Sequence, residues 1–319
     1  MNRLVLGNID YRTHMTNEGE ELQTGLVQAG WDIAGPGYGD GCTDVPTLVK
    51  RHEAEMVFVQ DKRDWDRNSP GCFNPAVHFE NVGYLAERPD IFKVAPVKDA
   101  GTSKEYQRAF CEEIGANAVV TYYHDESILC LSPWLEKYPR IRTYHSIDAK
   151  ACRAAFELNQ PRNRGIVTGA TSDVYPIRTM AFDHCDVLDI SGGRHPGYGN
   201  TGCATGEYLE LVARFRTHLA TASRWGFCLR KIIESVAVGT TPVTNLPAYD
   251  KLPFIDDALV RISNDPSLQE IKDAIDRAEA EWNLDRAIYF AERAWSFYDY
   301  RAQGRRMSER LMELANTKG

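Results

Sequence analysis

The stretch LRKIIESVAVGTTPVTN, Leu229 to Asn245, decides how the chain folds. Leu229, Ile232, Ile233, Val236 and Ala237 recur at helical spacing, so one face of a short helix is apolar and suited to burial. Gly239 ends that periodicity, and TTPVTN beyond it reads as extended chain. A buried helix feeding directly into a β-branched run is a unit of a parallel sheet wound by crossover helices. The opposite face carries Lys231, Glu234 and Ser235 about one turn apart, on the side expected to stay open.

Working outward, the same alternation fills the chain. The first half predicts strands at RLVLGN, WDIAG, AEMVFVQ, FKVAPV, NAVVTYY and IRTYHS, with helices starting near Glu18, Pro46, Pro75, Ser103 and Glu126. SIDAKACRAAFELNQPRNRG reads as a polar, Pro-containing connection. A second series then begins at GIVTGA: a helix from Tyr175, a strand near CDVLDIS, a helix from Glu207, the strand LATAS, the helix at Leu229 and the strand TPVTN. From Pro266 onward the chain is helical, and Trp282, Tyr289, Trp295, Phe297 and Tyr300 read as core material. Two Rossmann-like domains result, 1–150 and 151–319. Open parallel sheets place ligands outside the carboxyl ends of their strands, so two facing sheets would create a cleft.

Composition narrows the function. At 319 residues, 43% hydrophobic and 26% charged, the chain is an ordinary globular one of two-domain length. A net charge of -8 argues against a broad grip on a phosphate backbone, which needs a basic stripe. Eight cysteines are scattered singly with no CxxC pair, the usage of a reducing compartment rather than of a zinc or disulfide scaffold. With no apolar leader at MNRLVLGNID and no run of about 18 apolar residues, a cytoplasmic protein without a membrane span is expected. GPGYGDG, Gly35 to Gly41, does not spell the GxGxxG dinucleotide fingerprint and follows the second strand rather than the first, which removes the main support for a dehydrogenase.

The helix at Leu229 is where chemistry concentrates. Its N-terminus offers unpaired N–H groups and a positive dipole end, a setting for a diphosphate. Arg224, Arg230 and Lys231 add charge-assisted hydrogen bonds. Glu234, an acceptor-only carboxylate, suits the 2,3-diol of a ribose. The plainer reading is a surface Lys231–Glu234 pair at i, i+3, worth a few tenths of a kcal/mol.

RKIIESVAVGTTPVT resembles the donor-site helix of GT-B glycosyltransferases, whose K/R-x-x-E-x-x-A-x-G-x-x-P-V pattern precedes a strand. Together with GATSDVYPIRTMAF and GEYLELVARFRTHLATAS, it is most similar to the group-1-like, spore-maturation-type enzymes. The resemblance implies an α/β GT-B fold of two doubly wound domains facing a cleft, the N-terminal one on the acceptor side and the C-terminal one holding a nucleotide-diphospho-sugar, with the final helices packing back on the N-terminal domain. It also implies that Glu234 meets the ribose and that Arg230 or Lys231 lies near the phosphates. Many retaining members carry a second glutamate eight positions earlier, where this chain has Gly226, so the stereochemistry stays open.

Other residues are weighed in the same way. In VTGATSDVYPIR, the resemblance brings Thr168, Gly169 and Arg178 to the donor phosphates; otherwise Arg178 is a surface residue lying over Tyr175. GGRHPGYGN, Gly192 to Asn200, reads as a loop in which Tyr198 or His195 stacks on a base, or as a plain connection. Strand ends in the first half supply acceptor-side candidates: Asp10, Tyr38 and Asp125. A base on the acceptor hydroxyl falls first to Asp99 and second to His124, although such positions are also common helix caps.

The reading is a glycosyltransferase, hexosyl or pentosyl, moving a sugar from a nucleotide-diphospho donor, with a UDP-sugar expected, to a hydroxyl of a small molecule, glycan, protein or modified DNA. Basic side chains stabilise the leaving group, so no metal and no cofactor beyond the co-substrate is expected. The alternatives are a nucleotide-sugar hydrolase or epimerase of the same fold and a non-catalytic two-domain sugar or nucleotide binder.

Overall fold

The computed structural model describes residues 1–7, 18–60, 79–98, 104–158, 162–193, 195 and 205–317. The chain divides into two compact units, Met1–Tyr144 with Tyr300–Gly319, and His145–Asp299.

Among the described residues, the first unit carries β1 (Arg3–Leu6), α1 (Glu18–Gln28), β2 (Asp32–Ala34), α2 (Val45–Arg51), β3 (Met56–Val59), β4 (Phe92–Val97), α3 (Lys104–Glu113), β5 (Ala118–Thr121), α4 (Asp125–Leu131) and β6 (Arg140–Arg142). The sheet order is β2-β1-β3-β4-β5-β6, all parallel, with Val5 opposite both Ile33 and Phe58. Every residue of β3, β4 and β5 is buried, as expected of strands covered by helices on both faces. All six expected strands are present, and the helix expected near Pro75 lies outside the described residues.

The second unit opens with α5 (Ala149–Leu158), in the segment that sequence treats as a connection. Its Cys152, Ala155 and Phe156, spaced i, i+3, i+4, form a buried stripe hidden among charged residues. Next come β7 (Asn163–Thr168), α6 (Pro176–Asp183), α7 (Cys185–Leu188), β8 (Ser191–Gly193), α8 (Thr205–Ala213), β9 (Phe215–Leu219), α9 (Arg230–Ala237), β10 (Thr241–Thr244), β11 (Val260–Arg261), α10 (Leu268–Glu281) and α11 (Leu284–Tyr298). The order is β11-β10-β9-β7-β8, again all parallel.

The second unit departs from its sequence pattern at three points. CDVLDIS is not a strand: Cys185–Leu188 forms a helical turn closed by Asp189 in the left-handed region (φ 54), and the strand starts at Ser191. Gly192 and Gly193, expected in a loop, therefore belong to β8. The strand expected at LATAS is FRTHL instead. Thr217 and Arg216 reach Glu279 of α10, and His218 is wholly buried, so polar residues sit where pattern reading expects apolar ones.

The last helix, α12 (Tyr300–Asn316), belongs to the first unit. Met307 and Leu311 pack with Val5, Leu22, Leu26 and Trp31, and Trp31 Nε1 donates to Ser308 Oγ at 2.8 Å. Gly25 of α1 and Gly304 of α12 bring the two backbones into contact: a Cβ on either would collide with the other helix's main chain. Tyr289, expected in the core, is 49% exposed beneath the guanidinium of Arg293.

Candidate functional site

In the second sheet β7 comes first in the chain, β8 lies on one side of it and β9 on the other. The connections thus diverge between β7 and β9, and the carboxyl ends of those strands are where ligands of such sheets bind. Thr168 ends β7, and Gly169 follows at φ +112, a conformation L side chains rarely adopt. A Cβ there would stand 2.5 Å from Lys231 Nζ and 2.9 Å from Arg178 Nη1, so two cations flank one glycine.

Each cation is fixed by neutral oxygens. Lys231 Nζ donates to the Thr168 carbonyl at 3.1 Å. Arg178, 2% exposed, donates from Nη1 to the Ala170 carbonyl at 3.1 Å and from Nη2 to Thr221 Oγ1 at 3.2 Å. Its guanidinium also stands 3.9 Å from the Tyr175 ring centroid, so the contact with Tyr175 exists but is buried rather than at the surface. Burial, reinforced by the Arg178 charge and opposed by Glu234, holds the Lys231 ammonium well below the ordinary lysine range. A site of this kind favours whatever brings negative charge.

α9 supplies the frame. Its polar face is not open: Arg230, Glu234 and Ser235 are all buried. The expected Lys231–Glu234 surface pair gives way to a buried i, i+4 pair, Arg230 Nε donating to Glu234 Oε1 at 2.7 Å, while Lys231 turns to β7. At the other end, Trp295 Nε1 donates to the Ala237 carbonyl at 2.7 Å and Trp282 Nε1 to the Gly239 carbonyl at 3.0 Å. Two indoles thus serve main-chain acceptors at the helix C-terminus, a role invisible in a core-like aromatic stripe. Gly226, at φ +71, makes the turn into α9, and a Cβ there would lie 2.9 Å from Pro247 Cγ. Any side chain at this position is strained, the carboxylate of the retaining pattern included.

Behind Lys231 lies a residue that sequence reading did not single out. His218 is fully buried, 2.9 Å from Thr168 Oγ1 through Nε2 and 2.7 Å from Ser235 Oγ through Nδ1. Tyr208 OH lies 3.2 Å from Thr168 Oγ1, and the ring of His195 stacks on Tyr208 at 4.4 Å. Burial and the charges of Lys231 and Arg230 bring His195 down to about 4, so it is neutral at pH 7. The signal for His218 in the sequence is slight: one histidine in FRTHL.

The remaining candidates are less concentrated. Arg224 is 45% exposed in an ion pair of 2.8 Å with Asp173, tying the segment after β9 to the one after β7. In the first unit, His124 caps α4, its Nδ1 accepting from the Glu126 N–H at 3.2 Å, and Asp125 receives both Nε and Nη2 of Arg140 at 3.1 Å. Tyr38 sits in a tight turn, its N–H donating to the Gly35 carbonyl at 2.9 Å. Asp10, Asp99 and Tyr198 lie outside the described residues.

No protein-family model and no curated protein matches the chain. Solved structures do match. Sucrose-phosphate synthase from Thermosynechococcus elongatus is 11% identical, with 99% of this chain and 100% of that one covered at a TM-score of 0.58. HepE from Anabaena, in complex with UDP-glucose, is also 11% identical, covering 98% and 100% at 0.57. The HepE complex with UDP and glucose gives 10% identity and 0.56 over the same shares. At this identity the likeness defines the fold, two Rossmann-like parallel-sheet domains of the GT-B type.

Proposed function

We propose that this chain is a glycosyltransferase that binds a nucleotide-diphospho-sugar in its second unit and transfers the sugar to a hydroxyl acceptor. The observation that carries this reading is the pair of cations, Lys231 and Arg178, flanking Gly169 at the divergence of β7 and β9. The absence of a side chain at Gly169 lets Lys231 Nζ and Arg178 Nη1 come up against the main chain there, so that a diphosphate bound at this turn would meet both cations. In the ground state a nucleotide diphosphate is shared with the sugar; as the glycosidic bond breaks, negative charge grows on the β-phosphate, where a preorganised cation acts most strongly. Lys231 is assigned that role, with Arg178 contributing its field from behind. Glu234, oriented by Arg230, is assigned the ribose hydroxyls, and Arg224 and Tyr198 the outer part of the donor. The fold shared with HepE, whose structures hold UDP and UDP-glucose, makes a UDP-sugar the first donor to test.

On the acceptor side, Asp99 is proposed as the base, His124 as its alternative, and Asp10, Tyr38 and Asp125 as acceptor neighbours. Since the leaving diphosphate is neutralised by side chains, the scheme needs no cation from solution. The test is UDP release from UDP-sugars with and without sugar, glycan, peptide or modified-DNA acceptors, in EDTA. A transferase releases UDP faster when its acceptor is added, and Asp99→Asn slows release while leaving UDP affinity intact. Release indifferent to every acceptor would make the protein a hydrolase; saturable binding with no release would make it a binder, or an epimerase if the UDP-sugar is recovered as its epimer. Activity lost in EDTA and restored by Mn²⁺ or Mg²⁺ would remove the metal-independent scheme.

A further inference from the structure

The hydrogen bonds around His218 assign its protons. Ser235 Oγ donates its single hydrogen to the Lys231 carbonyl at 2.6 Å, so toward His218 it can only accept. The proton of His218 therefore sits on Nδ1, pointing at Ser235 Oγ 2.7 Å away. In the neutral ring, which burial beside Lys231 and Arg178 favours, Nε2 is then a bare acceptor and takes the Thr168 hydroxyl hydrogen at 2.9 Å, which leaves Thr168 Oγ1 as the acceptor of the Tyr208 hydroxyl at 3.2 Å. The series runs in one direction, from Tyr208 on α8 through Thr168 on β7 and His218 on β9 to Ser235 and the Lys231 carbonyl on α9. It then closes on itself, because Lys231 Nζ donates to the Thr168 carbonyl at 3.1 Å.

We propose that His218, as a neutral Nδ1–H imidazole bridging Thr168 and Ser235, is a positioning residue that sets the Lys231 ammonium beside Gly169. The inference rests on the reading of that glycine as the diphosphate site. Lys231 is held at both ends, its carbonyl by Ser235 Oγ and its ammonium by the Thr168 main-chain carbonyl, and His218 joins the two anchoring residues through the side chains of Thr168 and Ser235. A leucine at 218 would fill the volume but break the link between Thr168 and Ser235, leaving Thr168 Oγ1 with the Tyr208 hydroxyl and Ser235 Oγ with the Lys231 carbonyl. Asparagine keeps a donor near the Nδ1 position and so preserves the Ser235 half of the bridge. Burial, together with the nearby Lys231 and Arg178 charges, also opposes a second proton on the ring.

Two measurements on the full chain test this. Nitrogen-15 NMR of the imidazoles should give His218 as the Nδ1–H tautomer, unchanged between pH 5.5 and 8.5; an Nε2–H tautomer, or titration in that range, overturns the assignment. Calorimetric titration with UDP should then show His218→Leu binding at least 10-fold more weakly than wild type, with His218→Asn recovering at least half of that loss on a logarithmic scale. Thermal unfolding separates this from simple damage: equal affinity for UDP in the folded fractions of all three proteins, whatever their melting temperatures, overturns the positioning role. If His218→Leu does not fold, His218→Asn against wild type decides, with a loss of 2- to 5-fold expected and no loss contradicting the proposal. Failure of wild type to bind UDP at all would instead remove the site's proposed function, and the tautomer measurement would still read the bridge.

Discussion

Both sheets diverge at the same point of their topology, between the first and third strands of each unit, yet the side chains at the two points differ in kind. In the first unit, among the described residues, the ends of β1 and β3 are served by amides: Gln23 and Gln60 both donate from Nε2 to the Gly19 carbonyl at 3.2 Å. In the second, the ends of β7 and β9 meet Lys231 and Arg178, cations held by carbonyl and hydroxyl oxygens. The topology makes a place for a ligand twice; among the described residues, paired cations stand at the strand ends of the second. Function therefore has to be argued from Gly169 and its neighbours, because the strand order is shared by both units.

The largest difference between the two units is expected at their glycines. Gly169→Val puts a side chain where Lys231 Nζ and Arg178 Nη1 converge, at a φ of +112. UDP affinity should fall by more than 100-fold, and urea unfolding should show a loss on the order of 1–3 kcal/mol from backbone strain. Gly7→Ala at the end of β1 puts its Cβ against the side chains of Gln23 and Ile33 in the first unit, so calorimetry should give unchanged UDP affinity. Equal effects of the two substitutions would erase the distinction between the units.

A smaller effect is expected from Lys231→Met. Losing one charge-assisted hydrogen bond, about 1.5–3 kcal/mol, lowers UDP affinity roughly 10- to 100-fold. Thermal unfolding without UDP should show no destabilisation, because the burial that lowers the lysine pKa also makes its charge costly in the folded state. Gln60→Leu, the counterpart in the first unit, should leave UDP binding alone.

The sign of the pH dependence follows from the same residue. A bound diphosphate favours the ammonium and raises its pKa toward the ordinary value, so between the free and bound pKa values UDP binding takes up a proton. Affinity should fall as pH rises through that window. Titrations at alkaline pH, where the nucleotide phosphates are already ionised, in buffers of different ionisation enthalpy should detect the uptake, and Lys231→Met should abolish it. The smallest effect belongs to the back of α9: Trp295→Phe removes the donor to the Ala237 carbonyl and should cost about 1 kcal/mol in unfolding free energy. UDP affinity should change less than in any variant at Lys231.

The sequence made much of the first sheet legible, since runs such as AEMVFVQ have an apolar, partly β-branched centre bounded by polar residues. It was less legible where burial is achieved by pairing. Arg216, Thr217 and His218 look like surface residues, but Glu279, Thr168 and Ser235 receive them, and the strand is displaced from LATAS to FRTHL. At the site, Lys231 and Glu234 stand out from their spacing, but their partners do not. Arg230 takes the carboxylate from within the same helix turn, and the Thr168 carbonyl that receives Lys231 is 63 residues away in the chain. A helical wheel cannot display a contact of that kind, and it left α9 with an open face that the fold covers.

The most direct test is the structure of the chain bound to UDP. The diphosphate should lie at Gly169, within hydrogen-bond distance of Lys231 Nζ, and the ribose hydroxyls at Glu234. UDP bound elsewhere, with Lys231 still holding only the Thr168 carbonyl, would contradict the assignment.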